Sequence, residues 1–305
     1  MIQYLYLGRV PYDEALRLQA EIVALRLEGR VDNVLLLLEH PPVLTLGRNA
    51  HRSNVLASDD LLASRGITLH HINRGGDVTH HGPGQLIGYP IFDLRSLKKD
   101  WTGAPNDRSS SLGLTQGSRL GPVDFVRQIE EALIRLCGVH GLRASRIPGL
   151  TGVWCGLDEP QNPSETPRKI AAIGIHVSRG ITSHGFAFNL TTDLGDFQLI
   201  HPCGITDKAV TSLAAELARI ADNPPALPPL EVVAHQAARQ FGQVFGQQVL
   251  AVESLEALRA QAASAPAAPP PPVQFPAQFP AQDTPLQVPS ELERLHGDPE
   301  RPVRA

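Results

Sequence analysis

The sequence predicts an α/β fold in which a mixed β-sheet is flanked by helices, and three observations predict it. The chain has 305 residues, 42% of them hydrophobic, which is enough for one large core. Apolar stretches as long as strands alternate with amphipathic helical stretches over residues 1–250. The near-continuous apolar run 31–39 is typical of a strand that is buried on both faces.

In the N-terminal half, turn and cap residues delimit the elements. The first helix begins at Pro11 and stops before Gly29, and Ser58 caps a short helix that reaches about Ser64. Pro41-Pro42 ends the buried apolar run, and a glycine-rich turn precedes the last strand of this half. The predicted elements are strand 2–8, helix 11–28, strand 31–39, helix 59–64, strand 67–72 and strand 85–94.

In the C-terminal half, the strongest pattern is the amphipathic helix 122–139, whose apolar face holds Ile129, Leu133 and Leu136. Gly141 stops that helix. Two apolar strands that follow one another closely are predicted to form a hairpin. The predicted elements are helix 122–139, strands 142–147 and 152–155, the hairpin strands 169–177 and 183–190, and helices 210–217 and 230–245.

Composition divides the chain into a folded domain over 1–250 and a tail over 251–305. The tail holds a run of four prolines at 269–272 and the near repeat FPAQFPAQ, so we expect it to be disordered. Within the domain, the serine- and glycine-rich stretch 98–121 is expected to be a surface insertion, and 158–167 a proline-rich loop.

Charge and cysteine content exclude several functions. With 27 basic and 31 acidic residues the net charge is −4, which leaves no electrostatic footprint for nucleic acid. The N-terminus lacks a signal-peptide pattern, and no apolar run is long enough to span a membrane. Three cysteines are too few for a disulfide framework. We therefore expect a protein of the reducing cytoplasm that binds neither nucleic acid nor membrane.

The stretch 74–85, RGGDVTHHGPGQ, is the first candidate for a functional site. Its glycines allow the backbone to come close to a ligand and expose amide groups. A pair of glycines alone would be read as a tight strand connection. Four glycines with two histidines and an arginine in twelve residues favour function.

Three later stretches carry further reactive residue types. Lys169 opens the apolar strand RKIAAIGIH and would, taken alone, be a solvated strand end. His184 lies in SHGFAFNL and would, taken alone, be a core histidine. Cys203 lies in a turn between a proline and a glycine, which makes it the reactive candidate. Cys137 and Cys155 lie in apolar elements and are read as small core residues.

Together these stretches resemble the lipoate-protein octanoyltransferases, which are relatives of the biotin and lipoate protein ligases. The resemblance covers about residues 1–250 and is carried by RGGxVTxHGPGQ at 74–85, KIxxxG at 169–174, SHGxAxN at 183–189 and PCG at 202–204. It implies the ligase-like fold and a transfer of an octanoyl group from acyl carrier protein to a lysine of a lipoyl domain. This transfer is the first step of endogenous protein lipoylation.

The resemblance also implies roles for individual residues. Cys203 is the nucleophile that carries the acyl thioester, and Lys169 lowers the pKa of that thiol. His184 and Asn189 are supporting residues. The residues that are expected to line the acyl and substrate pocket are Arg74, Gly75, Gly76, Asp77, Val78, Thr79, His80, His81, Ala172, Ile173, Gly174, Gly185, Phe186 and Ala187.

The expected chemistry explains the cysteine but leaves some roles open. A free thiol is only a few per cent thiolate at neutral pH, and a neighbouring ammonium stabilises the thiolate. Lys169 can act as that ammonium or, if it loses its proton, as a general base. Amides near Gly75-Gly76 or around Cys203-Gly204 could bind the oxyanion, and His81 or His184 could take a proton from the acceptor lysine.

Other functions use the same residues differently. An ATP-dependent lipoate or biotin protein ligase would not need Cys203, and a hydrolytic cysteine enzyme would pair Cys203 with His81 or His184. A metal site that uses adjacent histidines is disfavoured, because neighbours on a strand point to opposite faces. A lipoyl-domain binder without activity would not need Cys203 or Lys169. We expect a monomer without cofactor or metal.

By the same resemblance, the partners would be octanoyl-acyl carrier protein as donor and the lipoyl domains of 2-oxoacid dehydrogenases and the glycine cleavage H protein as acceptors.

Overall fold

The computed structural model describes residues 1–97, 120–157, 166–201 and 209–266. In chain order these residues form the following elements: β1 Ile2–Arg9, α1 Tyr12–Leu27, β2 Asn33–Glu39, β3 Val43–Leu46, α2 Asp59–Ser64, β4 Thr68–His71, β5 Val78–His81, β6 Gln85–Ile91, α3 Pro122–Val139, β7 Ser145–Ile147, β8 Leu150–Cys155, β9 Arg168–Ser178, β10 Ile181–Asn189, β11 Ala209–Val210, α4 Leu213–Ile220, α5 Leu230–Phe245, β12 Val249–Ala251 and α6 Leu255–Ser264.

The strands of the described residues form two sheets. The large sheet has nine strands in the order β12-β1-β2-β6-β10-β9-β8-β7, with β11 paired to β9 off this path. β1 is parallel to β2 and β12, whereas β6, β10, β9 and β8 are antiparallel to their neighbours in the order, so the sheet is mixed. The small sheet has the order β4-β3-β5. The predicted α/β fold with a mixed sheet and flanking helices is confirmed.

Helices cover both faces of the large sheet, and the alternation along β2 shows how. Leu35 and Leu37 face one cluster with α3 and α5, whereas Leu36 and Leu38 face a second cluster with α1 and α6. All four side chains are fully buried. Because both faces are covered, this strand is apolar along its length instead of alternating.

The small sheet has its own apolar cluster, which includes Leu44, Leu46 and Val78 from its strands. Leu62 of α2 and Ile200 pack against the same cluster. This sheet matters for function because β5 faces the α1 side of the large sheet across a cavity, as described below.

Most predicted elements agree with the structure to within a few residues. Helices α3 and α5 have the predicted bounds, and β9 and β10 form the predicted antiparallel hairpin. Ser58 caps α2 by accepting a hydrogen bond from the amide of Leu61. Strand β6 ends at Ile91 and not at residue 94, because the Asp93 carboxylate accepts the amide of Arg95 and starts a 3-10 helix.

Two further differences concern the start of α4 and the C-terminal end of the folded domain. Residues 209 and 210 are a short strand paired to β9 and not the start of a helix, because Ser212 caps α4 only afterwards. The folded chain also continues past the predicted domain boundary at residue 250. Helix α6 packs Leu258 and Ala262 into the cluster beside α1.

Three predicted segments lie largely outside the described residues: the insertion 98–121, the loop 158–167 and the tail 251–305, of which the part after residue 266 is not described. None of the helices in the described part of the chain combines the length and hydropathy that crossing a bilayer needs.

Candidate active site

A cavity of about 190 Å³ lies between the α1 face of the large sheet and the small sheet. Strands β6, β10 and β9 form its floor, β5 and the segment 74–76 form its roof, and α1 and the turn between β7 and β8 close its sides. Its lining residues are Tyr12, Arg74, Gly75, Gly76, Thr79, His81, Ile87, Tyr89, Gly149, Leu150, Thr151, Lys169, Ala172, Ile173, Gly174, His184, Gly185, Phe186 and Ala187.

The residues of β9 and β10 that line the floor of the cavity are small, and they are paired with each other across the two strands. Ala172 pairs with Ala187, and Gly174 pairs with Gly185. A β-carbon on Gly174 would lie 2.6 Å from the carbonyl oxygen of Gly75, so only glycine allows the roof to approach here. The cavity therefore exists where neither strand offers a side chain large enough to fill it.

The roof is fixed by a buried arginine. The Arg74 guanidinium donates to the carbonyl and the hydroxyl of Thr45 at 2.7 and 2.9 Å, and to the carbonyl of Gly75 at 3.0 Å. The Gly75 amide donates to the carbonyl of Ile175 at 3.0 Å. Gly76 has a φ of +86°, which favours glycine. The segment 74–76 thus bridges β3 of the small sheet and β9 of the large sheet.

A hydrogen-bonded chain leads from the roof into the large sheet. The Gln85 side-chain amide donates to the His80 carbonyl and to Asn189 Oδ1 at 2.8 Å, so its oxygen is the acceptor for His81 Nδ1 at 2.8 Å. His81 Nδ1 therefore carries the proton, and Nε2 has none in the neutral ring. Burial holds the pKa of His81 well below its ordinary value, and so the ring is uncharged at neutral pH.

The chain of contacts continues to the strand that carries Lys169. Asn189 donates to the Thr211 carbonyl at 2.9 Å, and the Thr211 amide donates to the Lys169 carbonyl at 2.9 Å. The Thr211 hydroxyl donates to Glu216 at 2.6 Å. The backbone of Lys169 is thereby tied to the segment that leads into α4.

Beside Lys169, a buried ion pair holds α4 to β9. Arg168 Nε and Nη2 donate to the two carboxylate oxygens of Glu216 at 2.8 and 3.0 Å. Burial raises the pKa of Glu216, but the hydrogen bonds from Arg168 and Thr211 outweigh burial and hold it below its ordinary value. Glu216 is therefore ionised, and it fixes the beginning of β9.

Lys169 lies at the exposed end of the cavity. Its Nζ is 4.6 Å from the centre of the Trp154 ring, and the side chain is half-buried. Val210 pairs with Lys169 across β11 and β9. The site therefore places a cationic side chain, packed on an aromatic face, where the cavity opens.

The candidate nucleophile Cys203 lies outside the described residues. The chain on either side of it is anchored: the His201 amide donates to the Asn54 carbonyl at 2.7 Å, and residues 209 and 210 pair with β9. Cys137 and Cys155 are buried in the core cluster beside α3. Burial raises the pKa of the Cys137 thiol well above its ordinary value, so this thiol is inert at neutral pH.

His184 has an unusual backbone for a strand residue, with a φ of +56°. Its amide donates to Gln19 at 2.8 Å, and its Nε2 lies 2.7 Å from Asn73 Oδ1. Burial, together with the positive charge of Arg74, lowers the pKa of His184 to about 4. The ring is therefore neutral at the edge of the cavity.

The structure brings most of the predicted pocket residues to one cavity. Those that line it are Arg74, Gly75, Gly76, Thr79, His81, Ala172, Ile173, Gly174, Gly185, Phe186 and Ala187, together with Lys169 and His184. Asp77, Val78, His80 and Asn189 do not line it. On β5 the reason is strand alternation, because Val78 packs in the small-sheet cluster while Thr79 and His81 face the cavity.

Six lining residues have no counterpart in the sequence prediction: Tyr12, Ile87, Tyr89, Gly149, Leu150 and Thr151. Ile87 and Tyr89 alternate along β6 and face the α1 side, a pattern that by itself indicates only a core strand. Tyr12 opens α1 with no motif around it. The sequence carried no signal for these positions, because their role depends on which elements meet in space.

A family model and individual relatives of known proteins both match this chain, and they indicate the same family. The family model of the lipoyl protein ligase A/B catalytic domain matches residues 11–107 and 110–233. An octanoyltransferase of Acidobacterium capsulatum is 55% identical over 254 residues, which are 83% of this chain and 94% of that protein. An octanoyltransferase of Koribacter versatilis is 46% identical over 298 residues, which are 98% of each protein.

Solved structures resemble the fold at lower sequence identity. A bipartite lipoate protein ligase from Thermoplasma acidophilum has a TM-score of 0.57 at 15% identity and covers 86% of this chain and 91% of its own. A lipoate-protein ligase A, solved with ATP bound, has a TM-score of 0.56 at 16% identity and covers 86% and 93%. At these identities the resemblance shows the ligase-like fold alone.

The buried histidines predict how stability depends on pH. Burial also lowers the pKa of His40 to about 4, against an ordinary 6.5 that both His40 and His184 regain on unfolding. Below pH 6.5 the unfolded chain binds protons that the folded chain does not, so the free energy of unfolding decreases as the pH is lowered. We expect a loss of roughly 2 kcal/mol per histidine by pH 5, measured by urea unfolding.

His40→Gln should flatten this pH dependence while lowering stability at pH 7.5, because the hydrogen bonds of His40 to Val10 and Tyr89 are lost. The matched control is His51→Gln, at an exposed histidine, which should keep the wild-type slope. If the free energy of unfolding depends equally on pH in the wild type and in His40→Gln, the lowered pKa of His40 is contradicted.

Proposed function

This chain belongs to the lipoyl protein ligase A/B catalytic domain family, among its octanoyltransferases, and on that premise we propose that it carries an octanoyl group on Cys203 and delivers it to a lysine of a lipoyl domain. The observation that carries this proposal is the largely apolar cavity with Lys169 at its open end. The domain that would carry out this transfer includes the folded chain up to the end of α6.

The size of the cavity suits a medium-length acyl chain. A cavity of about 150 Å³ holds benzene, which has six carbons. A volume of about 190 Å³ is therefore of the right order for an eight-carbon chain. The small floor residues Ala172 and Ala187 leave room for the methylenes, each of which gains about 0.8 kcal/mol on burial.

The proposed reaction has two steps: a thioester exchange onto Cys203, and the transfer of the octanoyl group from that thioester to an amine. The Cys203 thiolate attacks the octanoyl carbonyl carbon on the phosphopantetheine arm of acyl carrier protein, a new C–S bond forms, and the pantetheine thiolate leaves. The amine of the acceptor lysine then attacks the same carbon, the amide forms, the Cys203 thiolate is released, and the proton lost by the amine passes to the Cys203–Lys169 pair. No cofactor or nucleotide takes part, because the donor is already an activated thioester.

Residues of the cavity have defined parts in these steps. Lys169 stabilises the Cys203 thiolate or accepts its proton, and the tied backbone of β9 holds Lys169 in place. His81 is neutral and stacks on Tyr12, at the end of the cavity away from Lys169, so its part is to line the cavity and not to receive the proton of the acceptor amine. The Gly75 amide is already bonded to Ile175, so this amide does not serve the oxyanion.

The proposed donor is octanoyl-acyl carrier protein. The proposed acceptors are the lipoyl domains of 2-oxoacid dehydrogenases and the glycine cleavage H protein. We propose a monomer that works in the cytoplasm. An ATP-dependent ligase on the same fold is the competing function, and the requirement for ATP separates the two.

The direct test is to incubate the protein with octanoyl-acyl carrier protein without ATP and to record its intact mass. We expect one octanoyl adduct, which Cys203→Ala abolishes. The control is Cys137→Ala, which removes a buried thiol and should leave the adduct. An adduct that requires ATP, or that persists in Cys203→Ala, would favour the ligase reaction.

Substitution of Lys169 distinguishes its two roles. Lys169→Met should slow adduct formation by about 10²- to 10⁴-fold, as expected when a positioned proton-transfer or charge partner is lost. Lys169→Arg keeps the charge but cannot lose a proton. Substantial activity in Lys169→Arg would identify Lys169 as the charge partner, and activity as low as in Lys169→Met would identify it as the base. Full activity in Lys169→Met would exclude both roles.

A further inference from the structure

The closed end of the cavity is formed by side chains that no motif in the sequence indicates. At the open end, Gly149 and Thr151 are exposed and Lys169 is half-buried. At the other end, Tyr12 and Tyr89 are each only 5% exposed. The cavity is therefore blind, with its opening at β9 and its end at the start of α1.

The distance between the two ends follows from the sheet order. Lys169 lies on β9, whereas Tyr12 packs against His40, which directly follows β2. Strands β10 and β6 lie between them, so the cavity crosses three inter-strand spacings, or roughly 14 Å. An acyl chain with its carbonyl beside Lys169 must run across the strands, and its methyl end must point towards Tyr12.

Tyr12 and Tyr89 form the end wall of the cavity, and packed, hydrogen-bonded rings lie behind Tyr12. The Tyr12 ring contacts the rings of His40 and His70, each at 5.1 Å between centroids, and stacks on His81 at 6.3 Å. His40 is fully buried and bonded through both ring nitrogens, to the Val10 carbonyl at 2.6 Å and to the Tyr89 hydroxyl at 2.7 Å. Because His40 is packed and hydrogen-bonded behind the Tyr12 ring, a longer chain that reaches Tyr12 meets resistance there.

From this geometry we propose that the ring of Tyr12 is the stop that limits the length of the acyl chain. The inference rests on the proposed octanoyl transfer and deepens it. The floor residues Ile87, Ala172 and Ala187 lie beneath the chain and set its path. Tyr12 lies across its end, and so the size of the side chain at position 12 sets the number of carbons.

Tyr12 is also the end-wall residue best suited to substitution. Removal of Tyr89 would leave the buried His40 without its hydrogen-bond partner, which destabilises the fold for reasons unrelated to chain length. Tyr12 is held instead by ring packing at the first residue of α1. A change in ring size there alters the cavity without removing a hydrogen bond of His40.

The experiment is a competition for thioester formation among hexanoyl, octanoyl and decanoyl acyl carrier protein, read by intact mass. Tyr12→Ala should raise the decanoyl-to-octanoyl ratio by about 15-fold, because each newly buried methylene is worth about fourfold in affinity. Tyr12→Trp should shift the preference from octanoyl to hexanoyl. Tyr12→Phe keeps the ring and loses the hydroxyl, so its chain-length ratios should agree with those of the wild type within about twofold.

The control is Tyr4→Ala, the same change at a partly buried tyrosine that bonds His235 away from the cavity. It should leave the chain-length ratios unchanged. If Tyr12→Ala does not fold, as judged by circular dichroism, Tyr12→Leu and Tyr12→Trp decide the question.

Variants that still load octanoyl with wild-type ratios would overturn the role of Tyr12 and leave the proposed function intact. A shift in Tyr4→Ala as large as in Tyr12→Ala would overturn it too. A wild-type protein that loads none of the three acyl groups would instead refute the proposed function.

Discussion

The site depends on one close backbone contact, between Gly75 in the roof and Gly174 in β9. The Gly75 amide bonds to β9, and a β-carbon on Gly174 would lie 2.6 Å from the Gly75 carbonyl. This contact brings the small sheet over the edge of the large one, and Arg74 secures it through Thr45. The cavity is the space that remains between the sheets, since the floor strands carry alanine and glycine where it lies.

A second feature links the two ends of this cavity. Hydrogen bonds run from His81 through Gln85 and Asn189 to Thr211, whose amide holds the Lys169 backbone. The His81 ring and the Lys169 backbone are thus placed relative to each other by polar groups that are buried and paired. Such a network resists displacement, because breaking one bond leaves a buried group unsatisfied.

The sequence predicted the sheet class, the long helices and most of the cavity wall, because apolar periodicity and glycine-rich motifs are local signals. It predicted neither β5 as a strand nor the end wall around Tyr12, since four-residue strands and pocket ends arise from contacts distant in the chain. It treated 77–81 as one lining segment, although strand alternation sends Val78 and His80 away from the cavity. The start of α4 was predicted too early because the pairing of Val210 with Lys169 is non-local.

The central claim, that the acyl group passes through a thioester on the protein, is tested most directly by a single-turnover transfer. The protein is loaded with octanoyl, freed of acyl carrier protein, and mixed with a lipoyl domain in the absence of ATP. The account predicts that the octanoyl mass leaves the protein and appears on the lysine of the domain in equal amount. Retention of the octanoyl group by the protein, with the domain modified only after ATP is added, would contradict it.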